Sequence, residues 1–320
     1  MHLKKSSVVL ILTAIIITAG ISTAYLIFKP SQNSNKNANS NTSEITSSEQ
    51  VNNNESLSSN QETDKNSTPD SDKTSSEMDS VKPTIAPTKD YSQLYPNLYA
   101  TRPAKQISQN KTIYLTFDDG PSERTAEILD ILKQNNIKAT FFVIGNKSDQ
   151  AKELMKRIVA EGHTIAPHTY THEFKQIYSS VEAYLEDFNK IYNLIYENTG
   201  VKSTIFRFAG GSKNGFNKNN YRDIIAEMTR RGFDYFDWNL STGDAVKKTP
   251  TPAVTCISNV TKNSANYNTA VILAHDAAPK KTTVEALPGL IKELKAQGFK
   301  FDKLSNNISP VKHSLIKPYA

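Results

Sequence analysis

The chain has 320 residues, 37% of them hydrophobic and 22% charged, with one cysteine and a formal net charge of +6. A single cysteine excludes an intrachain disulfide, so stability has to come from a packed core. The positive balance suits an anionic surface as partner.

The composition is uneven and divides the chain into three. Residues 1–30 contain an uncharged apolar run, 8–28, behind Lys4 and Lys5. It matches the roughly 20 residues a helix needs to cross a hydrocarbon core. It reads as a single-pass membrane anchor with its amino end in the cytoplasm, or as a cleaved signal peptide with Ser22 and Ala24 before the cut. A signal core normally has only about 7–15 apolar residues, which favours the anchor. Either way the rest lies outside the cell, where an acidic envelope polymer is a more natural partner than nucleic acid. Residues 31–95 are rich in Ser, Thr and Asn and too polar to offset their ordering entropy, so they are expected to form a disordered linker. As a flexible coil, about 60 such residues span about 40 Å. Residues 96–320 hold nearly all the aromatic residues and form the expected folded domain. No feature calls for an obligate protein partner.

Within this domain, apolar runs of strand length alternate with helical patterns. Strands are expected at 112–117, 139–144, 164–166, 204–208, 235–236 and 270–274. Helices are expected at 122–135, 147–161, 181–199, 219–231, 252–263 and 283–297, with Gly162, Gly200, Gly232 and Gly298 just past four of them. Repeated β-α units argue for an α/β fold with a parallel sheet or barrel. Asp118, Asp119, His168, His172, Arg207, Asp237 and His275 fall just after strands, so a parallel arrangement would gather them on one face.

In "TFDDGPSERT", one aspartate before Gly-Pro and an amphipathic helix is an ordinary helix cap. Two adjacent carboxylates repel unless a cation or basic group lies between them. In "PHTYTH", His168 and His172 are four apart, a spacing that suits one divalent metal or arises by accident at a surface or in a core. Two histidines and one carboxylate make a three-ligand zinc site with a position left for water, and the other carboxylate is then free to act as a base. "FRFAGGSKNG" offers Arg207 and a glycine pair that lets backbone approach a ligand. A serine nucleophile at Ser212 fails the G-x-S-x-G pattern, because Asn214 stands at the final glycine. Cys256, between Thr255 and Ile257, reads as a buried thiol. His275, off the end of "AVILAH", is a candidate proton donor if a carboxylate holds it as imidazolium, with Asp237 and Asp276 as rival partners.

Taken in order, "TFDDG", "HTYTH", "RFAGG", "DYFDW" and "VILAH" resemble the polysaccharide deacetylases with NodB homology, carbohydrate esterase family 4, over residues 111–301. The resemblance implies a distorted (β/α) barrel and a metal-dependent hydrolase of N-acetyl or O-acetyl groups. Matched by position, it implies Asp118 as catalytic base, Asp119, His168 and His172 as metal ligands, and Arg207 as the residue orienting the base. It further implies His275 as acid with Asp237 as its partner, and Gly210 as backbone oxyanion donor. Trp238, as a wall of the acetyl pocket, and Thr169 are the substrate contacts expected on that resemblance. Zn2+ is the expected ion, with Co2+, Ni2+ or Mn2+ able to occupy the same donors. Two departures, Ala209 and Pro167, stand where the family usually has proline and often asparagine.

The expected substrate is the peptidoglycan glycan strand, with chitin oligosaccharides, xylan or another exopolysaccharide as the enzymatic alternative. A carbohydrate-binding protein that has lost catalysis is the alternative of a different class.

Overall fold

The structure is a computed structural model and describes residues 89–103, 110–246 and 249–315. The expected membrane anchor at 8–28 and nearly all of the linker lie outside the described residues. Among the described residues, no helix is long and apolar enough to cross a membrane.

The element order is β1 (Thr112–Asp118), α1 (Glu123–Gln134), β2 (Thr140–Ile144), α2 (Asp149–Ala160), β3 (Thr164–Thr169), α3 (Phe174–Ile177) and α4 (Val181–Thr199). There follow β4 (Ile205–Phe206), α5 (Tyr221–Arg230), β5 (Asp234–Tyr235), β6 (Leu240–Ser241), α6 (Ala253–Thr261), β7 (Thr269–His275), α7 (Lys281–Ala296) and β8 (Lys300–Asp302). The main sheet runs β3-β2-β1-β7-β6 with β8 also paired to β1, and all of its pairings are parallel. β4 and β5 form a separate parallel ribbon. It meets the sheet where the Arg207 N–H donates to the Pro167 carbonyl at 3.1 Å. The expected barrel is therefore interrupted in its hydrogen bonding. Beyond β5 the C-terminal stretch takes over, with the Asp237 N–H donating to the Val311 carbonyl.

β1 is buried along its whole length, as a central parallel strand must be. Its alternation sorts the two faces. Ile113, Leu115 and Phe117 join the cluster shared with α1, α2 and α7, whereas Tyr114 packs inward with Phe142, Ala166, Phe236 and Val271. The same period of two sends Thr116 and Asp118 inward. β7 behaves alike: Ala270, Ile272 and Ala274 face the outer helices, and Leu273 and His275 face the inner cavity. The third cluster is aromatic, with Tyr184, Phe188, Phe206, Phe208, Phe233 and Tyr235 joining α4 to the ribbon.

Local signals set the element ends. Ser122, Ser148 and Ser180 accept from backbone N–H groups of the first turns of α1, α2 and α4. With Ser122 as the cap of α1, neither aspartate of the preceding loop is used for that purpose. The four glycines expected past helices all adopt positive φ, between 71° and 89°. Pro167 sits inside β3, the terminal strand of the main sheet, a position where a missing backbone N–H is tolerated. The β2–β3 register shifts there, pairing Val143 with Pro167 and Ile144 with Thr169. The shift falls at the residue that lacks an N–H, and His168 keeps the inward face it shares with Ala166 by the strand's period of two. Cys256 is buried, and burial pushes its thiol up to about 11.

Arg231 ties residues 91–98 to the domain. It is fully buried, donates from Nε to Glu227 at 2.7 Å, and uses its remaining N–H groups on the carbonyls of Tyr91, Leu94, Tyr95 and Leu98. Removing a buried ion-pair partner typically costs about 3–5 kcal/mol. Arg231→Met should destabilise the domain by that order in urea unfolding and speed amide exchange in residues 91–98; a stability within about 0.5 kcal/mol of the parent would contradict this assignment.

Candidate active site

Asp118 ends β1 on the inward face, and Arg207, just beyond β4, meets it there. Arg207 is fully buried and every polar atom has a partner. Its Nη1 donates to Asp118 Oδ1 at 2.9 Å and to Thr116 Oγ1 at 2.6 Å. Its Nε donates to the Phe236 carbonyl and its Nη2 to the Asp237 carbonyl, while the guanidinium lies 4.3 Å from the centre of the Phe142 ring. Oδ1 of Asp118 is thus committed to arginine, and Oδ2 lies 3.9 Å from His168 Nε2.

Asp119 turns away from its neighbour because its backbone is left-handed, with φ 74°. Its Oδ1 lies 3.5 Å from His168 Nε2 and 3.2 Å from His172 Nε2. One ligand atom from each of the three residues falls within 4.8 Å of the others. The donor chemistry fits a cation. His168 Nδ1 is 3.0 Å from the Arg207 carbonyl, which can only accept, so Nδ1 carries the proton. Burial keeps the ring neutral by pushing its pKa down, and Nε2 is left as a lone pair facing a carboxylate. The buried Asp119 Oδ1 has no aligned hydrogen-bond donor. Two lone-pair groups facing each other in a buried space need a positive charge between them.

His172 lies in a loop that its own residues would not hold, with φ 58° at the histidine. The anchor is Asp187 of α4. It accepts from the Tyr170 and Thr171 N–H groups at 2.6 and 2.9 Å and from the Thr171 hydroxyl at 2.7 Å.

His275 ends β7. Its partner is Asp244, not Asp237. The Asp244 Oδ1 is 2.8 Å from His275 Nδ1, and Oδ2 accepts from the His275 N–H and the Thr283 hydroxyl. Register explains the correction: β6 pairs Leu240 with Ile272 and Ser241 with Leu273, so the loop after β6 comes level with His275. Asp237, seven residues before Asp244, instead holds the glycine loop, accepting from Ser212 N–H at 2.8 Å, Ser212 Oγ at 2.6 Å and His313 N–H at 2.6 Å. Asp276 is no partner either. It is fully buried on the other side, bonded to the Thr125 hydroxyl, and burial pushes its carboxyl up to about 7. Burial alone would lower the pKa of His275, but the hydrogen bond and charge of Asp244 outweigh it and raise it to about 9.

These groups open on a cavity of about 390 Å³ walled by Trp238, Phe174, Gly210 and Val246. Gly210 is left-handed, φ 72°, and a Cβ there would come within 2.8 Å of the Phe174 ring. Ala209, in place of the usual proline, is buried, and its carbonyl accepts from Tyr178 Oη at 2.7 Å and Asn214 Nδ2 at 3.0 Å. Those bonds fix the loop that proline stiffness would otherwise fix. Thr169 is a correction: at 1% exposure it is buried and lines no part of this cavity, so it cannot touch a substrate there. Asp244 and Asp187 escaped the sequence reading. The only signal for Asp244 was a carboxylate in a Thr-Gly-Asp turn after a short strand, and Asp187 on a helix carried none.

Four similarities to known proteins bear on this site. The family model described as polysaccharide deacetylase matches residues 105–234. A peptidoglycan-N-acetylglucosamine deacetylase of Bacillus cereus is 35% identical over 196 residues, which is 61% of this chain and 69% of that protein. The catalytic domain of the peptidoglycan N-acetylglucosamine deacetylase of Eubacterium rectale superposes with a TM-score of 0.61 at 34% identity, covering 69% of this chain and 99% of that one. A chitooligosaccharide deacetylase of Rhizobium leguminosarum is 29% identical over 212 residues, 62% of this chain and 92% of that protein.

Because Asp244 raises the pKa of His275, the pair stabilises the fold fully below pH 6.5 and loses that contribution as pH rises through about 9. NMR titration of the metal-free protein should place the His275 midpoint near pH 9, and Asp244→Asn should lower it by more than one unit. An unmoved midpoint would contradict the pairing.

Proposed function

The chain belongs to the polysaccharide deacetylase family, and from that premise we propose that it hydrolyses the N-acetyl groups of peptidoglycan amino sugars. The observation that carries this reading is the Asp119–His168–His172 cluster beside an Asp118 whose one oxygen is held by Arg207.

Asp119, His168 and His172 would hold a divalent ion, and zinc suits the mixed imidazole and carboxylate donors. When bound, such an ion polarises an acetyl carbonyl and makes a neighbouring water more acidic. Asp118 is the group that takes the proton of the attacking water. Arg207 occupies Oδ1 and fixes the carboxylate plane, leaving Oδ2 on the cavity side as acceptor. The water oxygen bonds to the acetyl carbon as its carbonyl π bond opens, and negative charge gathers on the carbonyl oxygen. The N–H of Gly210 is the backbone donor assigned to that oxygen, and losing such a donor costs about 3–4 kcal/mol in comparable sites. Trp238 and Phe174 bound the space for the acetyl methyl.

His275 completes the reaction. Asp244 engages Nδ1, so Nε2 is free to give its proton to the sugar nitrogen as the C–N bond breaks. An amine anion is a very poor leaving group, so an amide needs this proton more than an ester does. A histidine held protonated up to about pH 9 matches N-deacetylation, with acetate and a sugar amine as products.

The Bacillus and Eubacterium relatives favour peptidoglycan, and the Rhizobium relative favours chitin oligosaccharides as the second reading. The apolar run at 8–28 supports a membrane-anchored catalytic domain working from the cell surface, and the polar linker would supply its reach.

The test is mass spectrometry of muropeptides from acetylated wall treated with the full chain. The parent should remove one acetyl mass from a single sugar type, a chelator should stop the reaction, and added zinc should restore it. Asp118→Asn should lower the rate at least about a hundredfold. Acetyl loss untouched by chelator, or by Asp118→Asn, would contradict the proposal; acetate from chitin oligomers alone would favour the second reading.

A further inference from the structure

We propose that Phe216 is a stacking platform for a second pyranose ring of the glycan, next to the sugar whose acetyl group enters the cavity. This inference rests on the deacetylase reading and extends the site beyond its catalytic groups.

Phe216 is 55% exposed, one of few large apolar side chains so placed among the described residues. A singly exposed hydrophobic residue is ordinary at a protein surface. What sets this one apart is how firmly its loop is held. The Asn214 Oδ1 accepts from the Phe216 and Asn217 N–H groups at 2.8 and 3.0 Å. In return Asn217, itself buried, accepts the Asn214 N–H at 2.8 Å and donates to the Ser212 carbonyl at 3.2 Å. Asn214 Nδ2 reaches the Ala209 and Gly211 carbonyls, so the loop is continuous with the glycine pair of the active site. A phenylalanine side chain is more stable inside a core than in water, yet this loop uses two asparagines to hold the ring about half exposed.

The ring also points somewhere. Phe216 packs on Phe174, with centroids 5.1 Å apart at 53°, and Phe174 stands edge-on to His172 at 5.0 Å and 85°. Phe174 lines the catalytic cavity. A continuous aromatic path therefore leads from a proposed metal ligand, through the cavity wall at Phe174, to an exposed ring one contact beyond it. The axial C–H face of a β-linked pyranose is apolar and rigid, and it loses little conformational freedom on meeting a ring held still. A glycan with one acetyl group in the cavity places its neighbouring sugar beyond the Phe174 wall, whereas a lone acetylated monosaccharide does not extend so far.

The experiment compares kcat/KM for acetate release from chitopentaose and from N-acetylglucosamine in the parent, Phe216→Ala and Phe216→Trp. Phe216→Ala should lose about tenfold more on the pentamer than on the monomer, mostly through KM, and Phe216→Trp should keep the parent's preference. Equal losses on the two substrates, or none on the pentamer, would overturn the platform. Calorimetric binding of chitopentaose to Asp118→Asn, with and without Phe216→Ala, separates the two readings. Binding weakened by Phe216→Ala in a protein whose parent releases no acetate would retain the platform and remove the deacetylase reading. Binding that Phe216→Ala leaves unchanged, or no binding at all, would overturn the platform.

Discussion

The buried pair of Arg207 and Asp118 is the constraint on which the site depends. Two adjacent carboxylates at the end of a central strand repel each other, and burial makes that repulsion larger. Arg207 removes one of them from the contest. It holds Asp118 Oδ1 while its other donors are spent on Thr116 and on the carbonyls of residues 236 and 237. Asp119, bent away by its left-handed backbone, is left to face two imidazoles. Arginine suits the position because its planar fork serves several acceptors at once with a fixed charge.

Three further buried carboxylates each hold one loop at the mouth of the strands. Asp187 reaches from α4 to the stretch between the two histidines, Asp237 holds Ser212 next to the glycine pair, and Asp244 holds His275. The Tyr170–Thr171 and Ser212 segments belong to no helix or strand and His275 is the last residue of β7, so the precision of the site comes from buried carboxylates bonding to backbone and side-chain donors at the strand ends. Each such carboxylate is satisfied by two or three donors, the condition under which a buried polar group adds rigidity rather than instability. The Phe216 loop follows the same rule with asparagines in place of aspartates.

Periodicity made the scaffold legible in the sequence. α4 spans Val181–Thr199 because its apolar stripe, its serine cap and Gly200 agree, and β1 and β7 follow their apolar runs closely. α3, β6 and β8, of four, two and three residues, carry too little pattern to be seen. The seven positions just after strands were legible as a convergent set because parallel strands end on one side. The pairings within that set were not. Asp237 and Asp244 look equally suitable as strings, and only the β6–β7 register brings Asp244 to His275. Thr169 failed for a related reason: it follows the inward-facing His168 on an alternating strand, so it is buried away from the cavity that its neighbour lines.

The division of labour between the paired aspartates is tested most directly by calorimetric Co2+ binding to the full chain carrying Asp119→Ala or Asp118→Asn. The account predicts that Asp119→Ala abolishes measurable binding, while Asp118→Asn binds within about tenfold of the parent. Equal loss in both proteins, or tight binding retained without the Asp119 carboxylate, would contradict it.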